Sequence, residues 1–203
     1  MMKKIFIALI FYFIFILGGH CATLDEMIGQ MIIVGYHGNS IDSKGFKTVL
    51  NQIENNQISG VILFEHNIKD KKSLNEMTKQ IKNSKAKYKP FISIDQEGGY
   101  VQRMNKKNGF KNFPTFYTVS KMSKKNASKI YKDMASDLYK SNFNLNFTPC
   151  VDLSLNKDSI ISKKERSFSN EAQKVVQYSK IVIGEHQKKG IITTLKHFPG
   201  HGS

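Results

Sequence analysis

The chain has 203 residues, 40% of them hydrophobic, which suits one domain with a real core and excludes a disordered tail. Its formal charge of +15 invites a nucleic-acid reading, but the lysines are scattered and not interleaved with aromatics, so they read as solvated helix faces and no nucleic-acid partner is expected. Only two cysteines, Cys21 and Cys150, are present, and loss of the first with a leader would exclude any intramolecular disulfide.

Residues 1–22 stand apart. Lys3 and Lys4 precede a 13-residue apolar run over residues 5–17, followed by Gly18, Gly19, His20, Cys21 and Ala22, all small but His20. That pattern predicts a secretory signal peptide, since the run is too short for an ordinary membrane span. Cleavage near Ala22 would leave 29 basic against 16 acidic residues, a charge of +13, and would place the protein in the periplasm or outside the cell. An uncleaved anchor is the competing reading, and lipidation at Cys21 is disfavoured by the bulky His20 before it.

Short apolar runs then alternate with amphipathic stretches. Residues 31–36 (MIIVGY), 60–64 (GVILF), 90–95 (PFISID), 145–153 (LNFTPCVDL) and 190–196 (GIITTLK) predict buried strands. Residues 43–56, 73–85, 120–141 and 170–188 predict helices. In the last of these Val175, Val176, Ser179, Val182, Ile183 and His186 share one face, and Ser169 or Asn170 with Glu171 supplies a start signal. Residues 105–117 predict a long loop at the rim of a site, and Cys150, inside an apolar stretch, is expected to be a small buried side chain.

Strand, helix, strand in repetition implies a parallel sheet, either open and doubly wound or closed as a (β/α)8 TIM-type barrel. No glycine-rich phosphate loop follows the first strand. Nearly every strand ends in polar residues, which is how barrel enzymes build a site. The barrel is therefore preferred, with about five of its eight strand-helix units present and without the closure that eight strands give. Residues 23–203 would carry these units.

Of 31 basic residues only Arg103 and Arg166 are arginine. A chain that uses lysine almost everywhere else keeps arginine where a planar fork of donors is needed. Residues 94–103 (IDQEGGYVQR) place an acid at a strand end, a glycine pair for a tight turn, and Arg103 eight positions on. Asp95 and Arg103 are read equally as a structural ion pair or as ligands for neighbouring sugar hydroxyls. Residues 164–169 (KERSFS), taken alone, read as a capped helix start with a surface arginine. Residues 195–202 (LKHFPGHG) put Lys196 and His197 together at a strand end. A zinc pair from His197 and His201 is disfavoured because Pro199 and Gly200 break the helix that would align them; no metal or cofactor is expected.

Taken together, IDQEGGYVQR, NFNLNFTPCVDL, ERSFS and LKHFPGHGS, with GVILFEHN, resemble glycoside hydrolase family 3 in its bacterial β-N-acetylhexosaminidase branch, from about Leu24 to Ser203. The resemblance implies a (β/α)8 barrel, with residues 23–203 as its N-terminal portion, that hydrolyses terminal β-linked N-acetylglucosamine with retention, on peptidoglycan-type or related glycans. It makes Asp95, Arg103, Arg166, Lys196 and His197 sugar ligands, and Asp95 a ligand where the residues alone would also allow a nucleophile. The resemblance places the nucleophilic aspartate and the acid/base histidine beyond residue 203, so that none of these residues is assigned either role; His201 belongs to the loop motif and not to the acid/base position. The expectation is a truncated chain, with two alternatives: a non-catalytic half-barrel that binds N-acetylglucosamine, or one that pairs with a separately encoded C-terminal half.

Overall fold

The computed structural model describes residues 22–201; residues 1–21, on which the expected signal peptide falls, and Gly202–Ser203 lie outside the described residues. In chain order the elements are α1 (Leu24–Gly29), β1 (Ile33–Val34), α2 (Lys44–Glu54), β2 (Gly60–Leu63), α3 (Lys71–Lys82), β3 (Phe91–Ile94), α4 (Phe116–Val119), α5 (Lys124–Lys140), β4 (Leu145–Asn146), α6 (Ile160–Lys163), α7 (Ala172–Gln187) and β5 (Ile192–Thr193), with 3-10 turns at Glu65–Asn67 and Lys106–Asn108. The five strands are all parallel and lie in the order β1-β2-β3-β4-β5. A doubly wound sheet reverses its strand order at a switch point. This sheet advances one strand at a time, as a barrel does, so the described residues form an open five-strand arc of (β/α)8 type with β1 and β5 at its edges.

Helical spacing explains the core. Phe46, Val49 and Ile53 of α2, Leu74, Met77 and Ile81 of α3, and Tyr131, Met134 and Leu138 of α5 are all buried. They pack on Val61, Leu63, Ile92 and Ile94 of β2 and β3 in one continuous cluster. β2 and β3 approach closely enough that a Cβ at Gly60 would overlap the Phe91 carbonyl. On α7 the predicted face is shifted: Val175, Ser179, Val182 and His186 are buried, but Val176 is exposed and Tyr178 is buried in its place.

Three predicted strands are much shorter than expected: 31–36, 145–153 and 190–196 shrink to the two-residue strands β1, β4 and β5. The run 145–153 pairs as β4 only through Asn146; the Thr148 N–H turns back to the Asn146 carbonyl, and Pro149 beyond it offers no N–H to the ladder. Pairing between the chains of β4 and β5 resumes beyond it as a single parallel bridge, Cys150 to Lys196. Cys150 is a free, fully buried thiol, as its apolar surroundings suggest. The loop 105–117 holds a 3-10 turn, and its last residues begin α4. Among the described residues no helix is long and apolar enough to cross a membrane.

Candidate functional site

The site is built at the C-terminal ends of the strands. β3 runs straight into Asp95, Gln96 and Glu97, and the chain turns back through Gly98 and Gly99, whose φ values of +103° and +58° lie in the left-handed region. A side chain at either would collide with Pro114 or Thr115, so the glycine pair is what lets this turn tuck under the loop. Beyond the turn, Gln96 fixes the next strand of loop. Its Oε1 accepts from the backbone N–H groups of Arg103 and Met104, and its Nε2 donates to the Met104 carbonyl. Arg103 is thereby pinned opposite Asp95.

All five residues expected to bind sugar line one open cleft of about 390 Å³: Asp95, Arg103, Arg166, Lys196 and His197, with Ile62, Val101 and Phe147. They are bound to one another and to two further carboxylates. Lys196 Nζ reaches Asp95 Oδ1 at 2.7 Å and Glu97 Oε1 at 2.6 Å. Arg166 donates from Nε and Nη2 to the two oxygens of Glu97, at 3.0 and 2.8 Å. Arg103 Nη2 stands 3.7 Å from Asp95 Oδ2, and its guanidinium lies over the Phe64 ring, 5.7 Å from the centroid. So the ion pair read at Asp95 and Arg103 exists, and both partners still face the cleft. Arg103 Nε has no protein hydrogen-bond partner.

Arg166 is not the surface arginine that its local sequence suggests. Its side chain is only 13% exposed, because Glu97, 69 residues earlier, takes its guanidinium in a bidentate pair. That carboxylate holds the guanidinium pKa above its usual value. The helix that follows starts later, with Glu171 as N-cap and no side-chain cap bond; Ser169 instead accepts from the Glu171 N–H.

His197 is positioned from β4. Its Nδ1 lies 2.6 Å from Asp152 Oδ2, and its backbone N–H donates to the same oxygen at 3.1 Å. A carboxylate there keeps the proton on Nδ1, leaving Nε2 as an acceptor that faces Arg166 Nη2 at 3.4 Å. Cys150 Sγ donates to Asp152 Oδ2 at 3.1 Å and the His201 N–H to Asp152 Oδ1 at 2.8 Å. Burial alone would push the Asp152 carboxyl up, but these bonds from His197, Cys150 and His201 outweigh it and hold the group below the ordinary carboxylate value. Burial pushes the Cys150 thiol strongly up.

Three carboxylates, Asp95, Glu97 and Asp152, thus alternate with three cations, Arg103, Arg166 and Lys196, around the His197 imidazole. Glu97 lies within IDQEGGYVQR and Asp152 within the run 145–153, but nothing in their spacing marks them as the braces of Arg166 and His197. In chemical terms Asp95 offers acceptors and Arg103 and Arg166 offer donors along one wall, the pattern that matches neighbouring hydroxyl groups.

The family model for the glycosyl hydrolase family 3 N terminal domain matches residues 23–203. A beta-hexosaminidase of Tolumonas auensis is 35% identical over 151 residues, covering 72% of this chain and 43% of that protein. One from Nitrosomonas eutropha is 31% identical over 159 residues, covering 75% and 44%. The chain therefore spans less than half the length of these relatives. Among solved structures, a glycoside hydrolase family 3 beta-N-acetylglucosaminidase from Paenibacillus sp. str. FPU-7 superimposes with a TM-score of 0.80 at 26% identity, covering 90% of this chain and 34% of that one. The chain belongs to glycosyl hydrolase family 3, and its relatives lie in the β-N-acetylhexosaminidase branch.

Proposed function

We propose that these residues form the sugar-binding part of a retaining β-N-acetylhexosaminidase, acting on terminal β-linked N-acetylglucosamine of peptidoglycan-type or related glycans. The observation that carries this reading is the single cleft shared by Asp95, Arg103, Arg166, Lys196 and His197. Asp95 accepts from two sugar hydroxyls, while Arg103, Arg166 and Lys196 donate to ring substituents from fixed positions. His197 Nε2 serves as a further acceptor. The five are ligands, and none is given the nucleophile's or the proton donor's role. The charged start and apolar run of residues 1–22 support export, which would bring the site to envelope glycans.

Titration calorimetry of the purified chain with N-acetylglucosamine tests the reading. Binding is expected, and Asp95→Ala should weaken it roughly 10- to 100-fold, the equivalent of about 1.5–3 kcal/mol for hydrogen bonds to a charged group. An absence of sugar binding, or equal binding by the variant, would sink the assignment. A chromogenic β-N-acetylglucosaminide incubated with the same preparation separates binding from turnover.

A further inference from the structure

We propose that Cys150, Asp152 and His197 form a site for a soft divalent cation, zinc above all, on the floor beside the sugar cleft. The three residues come from the continuations of β4 and β5, and the parallel bridge between Cys150 and Lys196 holds those two segments side by side. Cys150 Sγ, an Asp152 oxygen and a His197 ring nitrogen all lie within 4.8 Å of one another. A tetrahedral zinc with bonds of about 2.0–2.3 Å needs ligand atoms roughly 3.3–3.7 Å apart, so the set closes on a metal with small side-chain shifts. One thiolate, one carboxylate and one imidazole is a donor set that selects zinc over magnesium or calcium.

The pair weighed from spacing, His197 with His201, is not the core of this site; its partners are Cys150 and Asp152. The exposed His201 ring lies 4.8 Å from that of His197 but outside the three-residue cluster, so water would fill the fourth position. Protons balance simply. The Cys150 thiol proton leaves to solvent. His197 carries its remaining proton on Nε2 once Nδ1 is given to the metal. That shift turns Nε2, an acceptor toward Arg166 Nη2 at 3.4 Å, into a donor facing another donor. Metal binding therefore withdraws His197 from the cleft.

Cobalt titration of the purified chain, followed by absorption spectroscopy, tests the site. One equivalent of Co2+ is expected to give a thiolate-to-metal charge-transfer band that zinc abolishes by displacement. The band should persist in Cys21→Ser and vanish in Cys150→Ser, and Cys150→Ser should lose zinc affinity by more than the roughly 10- to 100-fold that even an outer-shell change costs. Circular dichroism checks that each variant is folded, and the spectrum of the unsubstituted chain stands independently of them. No charge-transfer band, or one that survives Cys150→Ser, overturns the proposal. The link to the cleft rests on the sugar-binding reading: zinc should raise the apparent Kd for N-acetylglucosamine. Zinc bound at Cys150 without that effect would leave the metal site standing and remove His197 from the sugar ligands.

Discussion

Glu97 carries more of the site than its place in the sequence suggests. It is 1% exposed, yet it bonds both Arg166 and Lys196. Asp95, by contrast, is 20% exposed and shares only Lys196 and a distant Arg103. Removing one partner of a buried pair strands the other charge, whereas a half-solvated pair contributes little. Glu97→Gln should therefore lower stability by about 3 kcal/mol, while Asp95→Asn should cost under about 1 kcal/mol, both read from urea midpoints. Equal effects would mean that the two carboxylates are equally solvated in solution. The two arginines were legible from composition alone, because a lysine-rich chain leaves them conspicuous. The Asp95–Arg103 pair was legible too, but the buried partner of Arg166 was not, since a Glu97–Arg166 pairing across 69 residues depends on how β3 and the loop before α7 meet, which no local spacing encodes.

At the scale of elements, helices were easier to read than strands. Amphipathic spacing locates α2, α3, α5 and α7 to within a few residues, because each must bury one stripe against the sheet. The strands, buried and continuous in hydrophobicity, carry no period to mark their ends, so the turn-back of Thr148 onto Asn146 that ends β4 was not legible. Short helices were missed, although α1 shows its signal openly: Thr23 and Glu26 form a reciprocal capping box. One helix also reaches into the site from behind. His186 of α7 is fully buried, its Nδ1 donating to the Val182 carbonyl and its Nε2 accepting from Asn146 Nδ2. Asn146 in turn holds both the N–H and the carbonyl of Gln96, beside Asp95 and Glu97. Burial lowers the His186 pKa from 6.5, so the folded chain takes up this proton at lower pH than the unfolded chain does. Stability should thus fall as pH drops below about 6.5 toward the folded value. Urea midpoints at pH 7.5 and 5.5 measure the slope, and His186→Leu should flatten it; a slope unchanged in that variant would assign the effect to other histidines.

For the whole molecule two forces oppose each other. Among the described residues the sheet ends at β1 and β5, and around β5 Ile192, Leu195 and Phe198 are 51%, 59% and 98% exposed. A strand edge flanked by exposed apolar side chains is a template for pairing with another chain. The net charge of +15 resists that approach. Charge repulsion is felt over about 10 Å at 0.1 M salt but only about 3 Å at 1 M, whereas apolar burial is not screened. Purified chain should therefore remain monomeric at low ionic strength and self-associate as salt is raised, with sedimentation velocity reporting the larger species. Ile192→Lys adds a charge to the free edge without touching Lys196 or His197, and should move the onset to higher salt. Association that is insensitive to salt, or unchanged by Ile192→Lys, would place the contact elsewhere than the β5 edge. The sequential strand order makes that edge the natural seat for any further strand-helix unit of the barrel, so a segment that pairs with β5 should suppress the salt-induced association at equimolar concentration.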